Sequence, residues 1–116
     1  KETIVGMTTD PSFGPLLMFG LGGVYVEALK DVAFRVQPVT RPDAREMIEE
    51  IRAYPLLEGL RGGAGVDRDL LVEVIQRVSQ LVGTFPRIQE LEMNPFLARA
   101  GGGVALDARI RLVEPD

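Results

Sequence analysis

Alternating apolar and polar residues occur at both ends of the chain and flank a middle with helical periodicity, an order that constrains the fold more than any other feature. Glu2 to Thr9 and Val32 to Val39 alternate as strands do, and Leu16 to Phe19 is a short apolar run typical of a buried strand. Val24 to Asp31 is ambiguous between strand and helix. Two further strands are expected near the C-terminus. This order predicts an α+β fold, a mostly antiparallel sheet with helices packed on one face.

Two or three helices are predicted in the middle of the chain. Thr40 caps the first, and Tyr54-Pro55 ends it before a short leucine-rich helix. The third runs from about Asp67, its cap, to Val82, and Gly83 ends it. Its predicted buried face consists of Leu70, Leu71, Val74, Ile75, Val78, Leu81 and Val82.

Composition excludes several classes of function. The formal net charge of −4 argues against general nucleic-acid binding, which requires a basic surface. The chain has no cysteine, so disulfides and thiolate chemistry are excluded. It has no histidine either, so a phosphohistidine would have to come from another segment or subunit. No apolar run approaches the ~18 residues of a membrane span.

A hairpin near the C-terminus carries the residues with the clearest chemistry. A triplet of glycines joins a first arm, Gln89 to Pro95, to a second arm, Val104 to Leu112. If the arms pair, alternation brings Glu92, Asn94 and Asp107 to one polar face. Carboxylate and amide oxygens are hard ligands that suit Mg²⁺ bound together with substrate phosphates. The opposite, apolar face is predicted to consist of Leu91, Met93, Val104, Leu106, Ala108, Ile110 and Leu112.

The residues alone leave alternatives open. The three oxygen-bearing side chains fit an ordinary solvated sheet face as well as a metal site. Arg109 and Arg111 share that face, where ordinary surface ion pairing is preferred over contact with a phosphate. The segment Gly20-Leu21-Gly22-Gly23 fits a tight turn better than a phosphate cradle, because Tyr25 breaks the G-x-G-x-x-G pattern. Asp10, ahead of Phe13-Gly14-Pro15, is interpreted as a hairpin turn residue.

Four segments in combination resemble one family along essentially the whole chain. They are Glu2 to Pro15 (ETIVGMTTDPSFGP), Met18 to Glu27 (MFGLGGVYVE), Tyr54 to Gly62 (YPLLEGLRG) and Glu90 to Pro95 (ELEMNP). The resemblance is to the ATP-grasp portion of NDP-forming acyl-CoA synthetases, of the ADP-forming acetyl-CoA synthetase type, which is related to the β subunit of succinyl-CoA synthetase.

The resemblance implies an acid–CoA ligase that converts acyl-CoA, ADP and phosphate to the acid, CoA and ATP, or the reverse. A phosphohistidine on another domain would carry the phosphoryl group. The chain, residues 1–116, is then expected to be a single domain, the C-terminal lobe of the ATP-grasp domain, cut from a larger chain and inactive alone. The missing lobe is expected before Lys1. An alternative is a regulatory ATP-grasp-like module fused to a GNAT-type protein acetyltransferase, without ligase activity.

The resemblance also implies roles for individual residues. Asn94 and Asp107 match the family's Mg²⁺ ligands, and Glu92 matches the acidic residue that approaches the phosphohistidine, for which many relatives have Asp. Glu2 matches a nucleotide-contacting residue, and Gly22 with Gly23 matches a glycine loop at the nucleotide or the partner domain.

The implied cofactors are Mg²⁺ and ATP or ADP, with CoA bound by other domains. The implied partners are the nucleotide and the CoA-binding and phosphohistidine-bearing domains or subunit, in a homo- or hetero-oligomeric, cytoplasmic enzyme. Neither a nucleic acid nor a membrane is expected as a partner.

Overall fold

The order of secondary-structure elements follows the predicted order of strands, helices and strands. The computed structural model describes residues 1–22, 31–59 and 65–114. The strands are β1 (Glu2–Asp10), β2 (Gly14–Leu21), β3 (Val32–Val36), β4 (Ile88–Arg99), β5 (Gly102–Ala105) and β6 (Ala108–Leu112). The helices are α1 (Arg41–Glu50), α2 (Tyr54–Glu58) and α3 (Arg68–Thr84). The described part of the chain thus has one strand more than the five predicted.

The strands form a single sheet in the order β3-β2-β1-β4-β5, with β6 also paired to β4. Every pair is antiparallel. Together with the helices this confirms the α+β prediction. Within the described ranges, no helix is long and apolar enough to cross a membrane.

One face of the sheet and the helices form the hydrophobic core. Val5 and Met7 of β1 lie opposite Phe19 and Leu17 of β2, and all four side chains are buried. They pack with apolar residues from all three described helices, namely Ala44, Met47, Ile48, Leu57, Leu71, Val72, Ile75, Val78 and Val82. We call this the helix-covered face, and we call the opposite face, against which no described helix packs, the open face. Alternation along β1 and β2 therefore decides which side chains join this core.

The hairpin of β1 and β2 is regular. Eight consecutive pairs run from Thr3–Leu21 to Asp10–Gly14 without a register shift. At the turn, the Asp10 carboxylate accepts hydrogen bonds from the backbone N–H of Ser12 (2.7 Å) and Phe13 (2.9 Å). Asp10 is therefore a turn residue, as predicted.

Helix α1 begins as predicted but ends earlier. Thr40 and Asp43 form a reciprocal capping box at its start. The prediction that Tyr54-Pro55 ends this helix is wrong, because α1 ends at Glu50 and Tyr54-Pro55 begins α2. Proline fits the first turn of a helix, and the buried Asp31 carboxylate holds the intervening turn by accepting the N–H of Arg52 (2.6 Å) and Ala53 (2.9 Å).

Helix α3 has the predicted cap, with the Asp67 carboxylate accepting the N–H of Leu70 (3.0 Å). It continues to Thr84, so the prediction that Gly83 ends it is wrong. The buried stripe is also rotated from the predicted one, since Leu81 is 37% exposed while Val72 and Ser79 are buried. Ser79 was missed because it is polar. Its hydroxyl accepts the N–H of Val39 (3.0 Å) and so fixes the chain that enters α1.

Strand β3 is shorter than the predicted Val32 to Val39 and ends at Val36. Pro38 has no N–H for a sheet ladder. The predicted alternation holds, with Phe34 on the side opposite to Arg35. The apolar side chains face outward, however, because Phe34 is 45% exposed while Arg35 reaches the helices and pairs with Glu50 at 2.7 Å.

The β4 strand bends in its middle, and this bend breaks the predicted alternation. Thr3 lies opposite Phe96, but Val5 lies opposite Met93, so β4 has one extra residue between these pairs. Such a bulge turns the following side chains to the other face. Phe96 and Ala98 consequently join Leu91 in the core.

The second arm of the hairpin is interrupted at the same level, between β5 and β6. The prediction of one uniform apolar face from Val104 to Leu112 is therefore wrong. Val104 lies opposite Leu97, whereas Ile110 lies opposite the buried Leu91. The predicted triple-glycine turn is also shorter than expected, because Gly102 and Gly103 belong to β5 and only Gly101 lies in the turn, at φ +77°.

Candidate functional site

Asn94 lies directly opposite Asp107, in the register that β4 keeps with β5 and with β6 on both sides of the break, at Phe96–Ala105 and Met93–Ala108. The N–H of Asn94 donates to the carbonyl oxygen of Asp107 at 3.1 Å, and the N–H of Leu106 donates to the carbonyl oxygen of Pro95 at 3.0 Å. The two arms thus stay joined where their regular pairing is interrupted. The two predicted cation ligands are thirteen positions apart in the chain and are neighbours in the structure, Asn94 in β4 and Asp107 in the break between β5 and β6.

The Glu92 and Asn94 side chains lie together, as the alternation predicts. The Asn94 amide nitrogen Nδ2 donates to the Glu92 carboxylate oxygen Oε1 at 3.0 Å. Both residues are partly buried. The nitrogen of the amide is committed to Glu92, and the oxygen is the atom whose chemistry suits a hard cation.

The protein supplies few anionic ligands at this position. Among residues 1–22, 31–59 and 65–114, no group of three or more carboxylate, imidazole or thiol side chains lies close enough to hold a metal ion. One carboxylate and one amide oxygen leave most of the octahedral shell of Mg²⁺ to other donors. The donor set fits a Mg²⁺ that brings nucleotide phosphates and water with it, rather than a dedicated protein cage.

The two arginines of β6 have different surroundings. Arg111 lies opposite Glu90 and pairs with it at 3.0 Å, which confirms the preferred interpretation of surface pairing for this residue. The hydrogen bond and the charge of Arg111 lower the pKa of the exposed Glu90 carboxyl. Arg109 lies opposite Glu92. The carboxylate next to Asn94 therefore has a cationic residue as its neighbour in the sheet.

A groove of about 500 Å³ is lined by the two arginines and by their neighbours Glu90 and Glu92. Glu90, Glu92 and Arg109 contribute its polar side, and Met18 and Phe34 contribute apolar surface. Between these two sides, Gly6 lies opposite both Met18 and Glu92 and has no side chain. A Cβ atom there would lie 2.4 Å from the carbonyl oxygen of Leu91, so the close approach of β1 to β4 requires glycine.

Glu2 and Gly22 lie together at one end of β1. The N–H of Gly22 donates to the Glu2 carbonyl oxygen at 2.9 Å. A Cβ on Gly22 would lie 3.1 Å from the carbonyl oxygen of Thr3, so close backbone packing favours glycine at this position. Glu92 lies opposite Gly6, four residues farther along β1, or about 13 Å. Gly23 lies outside the described residues.

Sequence reasoning missed Thr3. It lies on the helix-covered face, is fully buried, and donates its hydroxyl to the carbonyl oxygen of Phe96 at 2.7 Å. The spacing of the apolar residues in β4 does, however, indicate the bulge next to which Thr3 bonds. Leu91 and Met93 are odd-numbered while Phe96 and Ala98 are even-numbered, so both pairs can be buried only if an extra residue lies between them.

Comparisons with known proteins agree with this architecture. Residues 1–112 match the ATP-grasp domain family. The chain is 51% identical over 112 residues to the beta subunit of ADP-forming acetate–CoA ligase I of Pyrococcus furiosus. The aligned residues make up 97% of this chain and 48% of that subunit. It is 49% identical over 114 residues to the ADP-forming 4-hydroxybutyrate–CoA ligase of Nitrosopumilus maritimus, covering 97% and 16% respectively. The chain thus spans about half of the first relative and a small part of the second.

Among solved structures, a dinucleotide-forming acetyl-coenzyme A synthetase 1 of Ca. Korarchaeum cryptofilum has a TM-score of 0.92 and 44% identity, over 97% of this chain and 53% of that one. That enzyme is in complex with coenzyme A and Mg-AMPPCP, and its phosphohistidine segment points towards the nucleotide-binding site. With a family match over almost its whole length and relatives near 50% identity, this chain belongs to the ATP-grasp domain family.

Proposed function

We propose that this chain is the C-terminal lobe of the nucleotide site of an ADP-forming acid–CoA ligase. The full-length enzyme interconverts acyl-CoA, ADP and phosphate with the acid, CoA and ATP. The names of the relatives support the reaction class. The observation that carries the proposal is the opposition of Asn94 and Asp107 across the bend, joined by a backbone hydrogen bond of 3.1 Å.

Asn94 and Asp107 hold Mg²⁺ jointly with the nucleotide in this proposal. Directly opposed residues of an antiparallel pair carry their side chains on the same face, which supports a shared cation between them. A bound Mg²⁺ neutralises charge on the phosphates, and this is the main demand of phosphoryl transfer. The protein's part is to present one amide and one carboxylate oxygen in fixed positions.

In this proposal, Glu92 accepts a hydrogen bond from the histidine that carries the phosphoryl group. The chain contains no histidine, so that side chain comes from another domain or subunit. A carboxylate that accepts the ring N–H fixes the tautomer of an imidazole and favours its charged form. The Asn94 amide, 3.0 Å from Glu92, restricts the carboxylate to one orientation. The cation ligand and the histidine-binding carboxylate are thus linked by one hydrogen bond.

Other contacts in the proposal lie at the far end of β1. Glu2 contacts the nucleotide, and Gly22 with Gly23 contributes backbone to the nucleotide or to the partner domain. CoA and the acyl group are bound by other domains, in an oligomeric cytoplasmic enzyme. The ligase names of the relatives favour this reading over a regulatory module fused to an acetyltransferase.

The proposal is tested by Asp107→Ala in the full-length enzyme. We expect loss of ATP formation from ADP, phosphate and acetyl-CoA to below about one hundredth of the wild-type rate, since a fixed ligand of the charge-neutralising cation is removed. The matched control is Glu73→Ala, which removes an exposed carboxylate on the outer surface of α3. Wild-type turnover by Asp107→Ala would refute the assignment.

A further inference from the structure

Thr3 is the fully buried polar residue of β1. Val5 and Met7, the next residues on this face, are apolar and buried. A hydroxyl placed among such neighbours lowers stability unless it is hydrogen-bonded. The Thr3 hydroxyl donates to the Phe96 carbonyl oxygen at 2.7 Å, and Thr3 is completely buried.

This bond lies at one end of the β4 bulge. Regular pairing with β1 stops at Thr3–Phe96 and resumes at Val5–Met93. Between these pairs β4 contributes two residues, Asn94 and Pro95, where β1 contributes only Ile4. On the other side, backbone hydrogen bonds from Asn94 to Asp107 and from Leu106 to Pro95 hold the same two residues. On the β1 side, the hydrogen bond from the Thr3 hydroxyl to Phe96 lies next to the interruption of the β1–β4 pairing.

We propose that Thr3 is a positioning residue for the cation-binding amide of Asn94. The inference rests on the proposed function of Asn94. Through the carbonyl of Phe96, the Thr3 hydroxyl fixes the point at which β4 returns to the regular ladder. This in turn fixes the length and direction of the bulge relative to β1, and with it the orientation of the Asn94 amide, while the pairing of β4 with β5 and β6 sets Asn94 opposite Asp107. Thr3 touches neither nucleotide nor cation, so its effect is transmitted through two residues of backbone.

Valine separates the hydroxyl from the shape of the side chain. Thr3→Val keeps the volume but leaves the Phe96 carbonyl without this buried donor, so the bulge is free to relax. Thr3→Ser keeps the donor and loses one methyl group. Thr9 offers a matched control, since its hydroxyl donates to the carbonyl oxygen of Gln89, also from β1 to β4 and also at 2.7 Å. That bond lies at the opposite end of β1, away from Asn94.

The experiment measures the dissociation constant of Mn²⁺·ADP by electron paramagnetic resonance, together with the melting temperature, in the full-length enzyme. We expect Thr3→Val to weaken Mn²⁺·ADP binding about tenfold, the scale of lost supporting contacts at metal ligands. Thr3→Ser and Thr9→Val are expected to stay within about twofold of wild type. Should Thr3→Val not fold, Thr3→Ala serves as the second variant without the hydroxyl.

Wild-type affinity in the folded hydroxyl-free variant would overturn the inference. Equal losses in Thr3→Val and Thr3→Ser, or in Thr3→Val and Thr9→Val, would do so too. Asp107→Ala, measured in the same assay, separates the two claims. If Asp107→Ala loses Mn²⁺·ADP binding and Thr3→Val does not, only the role of Thr3 fails. If Asp107→Ala binds as wild type, the proposed cation site itself fails.

Discussion

The two hairpins of the sheet are built on different principles. The β1–β2 hairpin keeps one register over eight consecutive pairs and buries alternate residues in the core. The hairpin formed by β4 with β5 and β6 has a bulge towards β1, a register shift towards β6 and a gap at Leu106 and Asp107. The regular hairpin gives the domain its core. The irregular one carries every residue of the proposed cation and histidine site.

The comparison shows how a sheet can present a ligand pair without losing its core. Regular alternation would place Phe96 on the same face as Glu92 and Asn94. One extra residue sends Phe96 and Ala98 to the helix-covered face instead, where they are buried. The site residues are thereby separated from the packing residues within a single 12-residue strand. Substitutions in the regular hairpin, apart from Thr3 next to the bulge, should change stability, and substitutions at the bend should change chemistry.

The largest expected effect tests the regular hairpin. Phe19 is fully buried, so Phe19→Ala in the full-length enzyme should lower the free energy of unfolding by about 3–5 kcal/mol. The affinity of the remaining folded protein for Mn²⁺·ADP should not change. Denaturant unfolding and binding to the refolded fraction check both statements. The control is Phe13→Ala at the tip of the same hairpin, where the side chain is 67% exposed and the change should stay within about 0.5 kcal/mol.

The second effect tests the bend. Glu92→Gln should slow transfer of labelled phosphate from ATP to the histidine about 100-fold, equivalent to about 2.7 kcal/mol, because the ring N–H loses its charged acceptor. Binding of Mn²⁺·ADP should stay within about twofold, since the glutamine oxygen can still accept from the Asn94 amide. Glu90→Gln, two residues away in the same groove, is the control and should transfer phosphate at nearly the wild-type rate. Equal losses in the two variants would remove the special role of Glu92.

The smallest effect concerns the ion pair of Glu90 with Arg111. Because the hydrogen bond and the charge of Arg111 lower the pKa of Glu90 below its ordinary value of 4.5, the pair stabilises the fold above that pH. The contribution is lost as the pH falls through the lowered pKa. The melting temperature of Glu90→Gln should therefore be slightly below that of wild type at pH 7, and the difference should shrink as the pH falls below 4.5, in paired thermal scans. A difference that grows on acidification would contradict the assigned sign.

Much of the fold could be predicted from local patterns. Thr40 and Asp67 were identified as caps because each side chain satisfies a backbone N–H within its own first turn. The joint placement of Glu92 and Asn94 followed from their spacing of two residues. The opposition of Asn94 and Asp107 followed from pairing the arms, although the pairing is less regular than predicted.

The missed features depend on partners that are distant in sequence. Asp31 and Ser79 bond to the backbone of Ala53 and Val39, and no local pattern reveals such pairs. The end of α3 was misjudged because a glycine inside the last turn resembles a stop signal. The bulge was missed because each arm was assigned strict alternation. The change in parity before Phe96 is recognised only when the burial of both halves of β4 is required together.

The extra residue of β4 also limits how the length of this chain can vary. Losing one residue near Pro95 would turn every later side chain of β4 to the opposite face of the sheet. Phe96 and Ala98 would become exposed, and Leu97 and Arg99 would point into the core. Losing two would keep the faces but remove Asn94 or its spacing from Glu92. Insertions and deletions in this hairpin are thus confined to the Gly101 turn, where no Cβ at that glycine would meet another atom and the backbone already reverses direction.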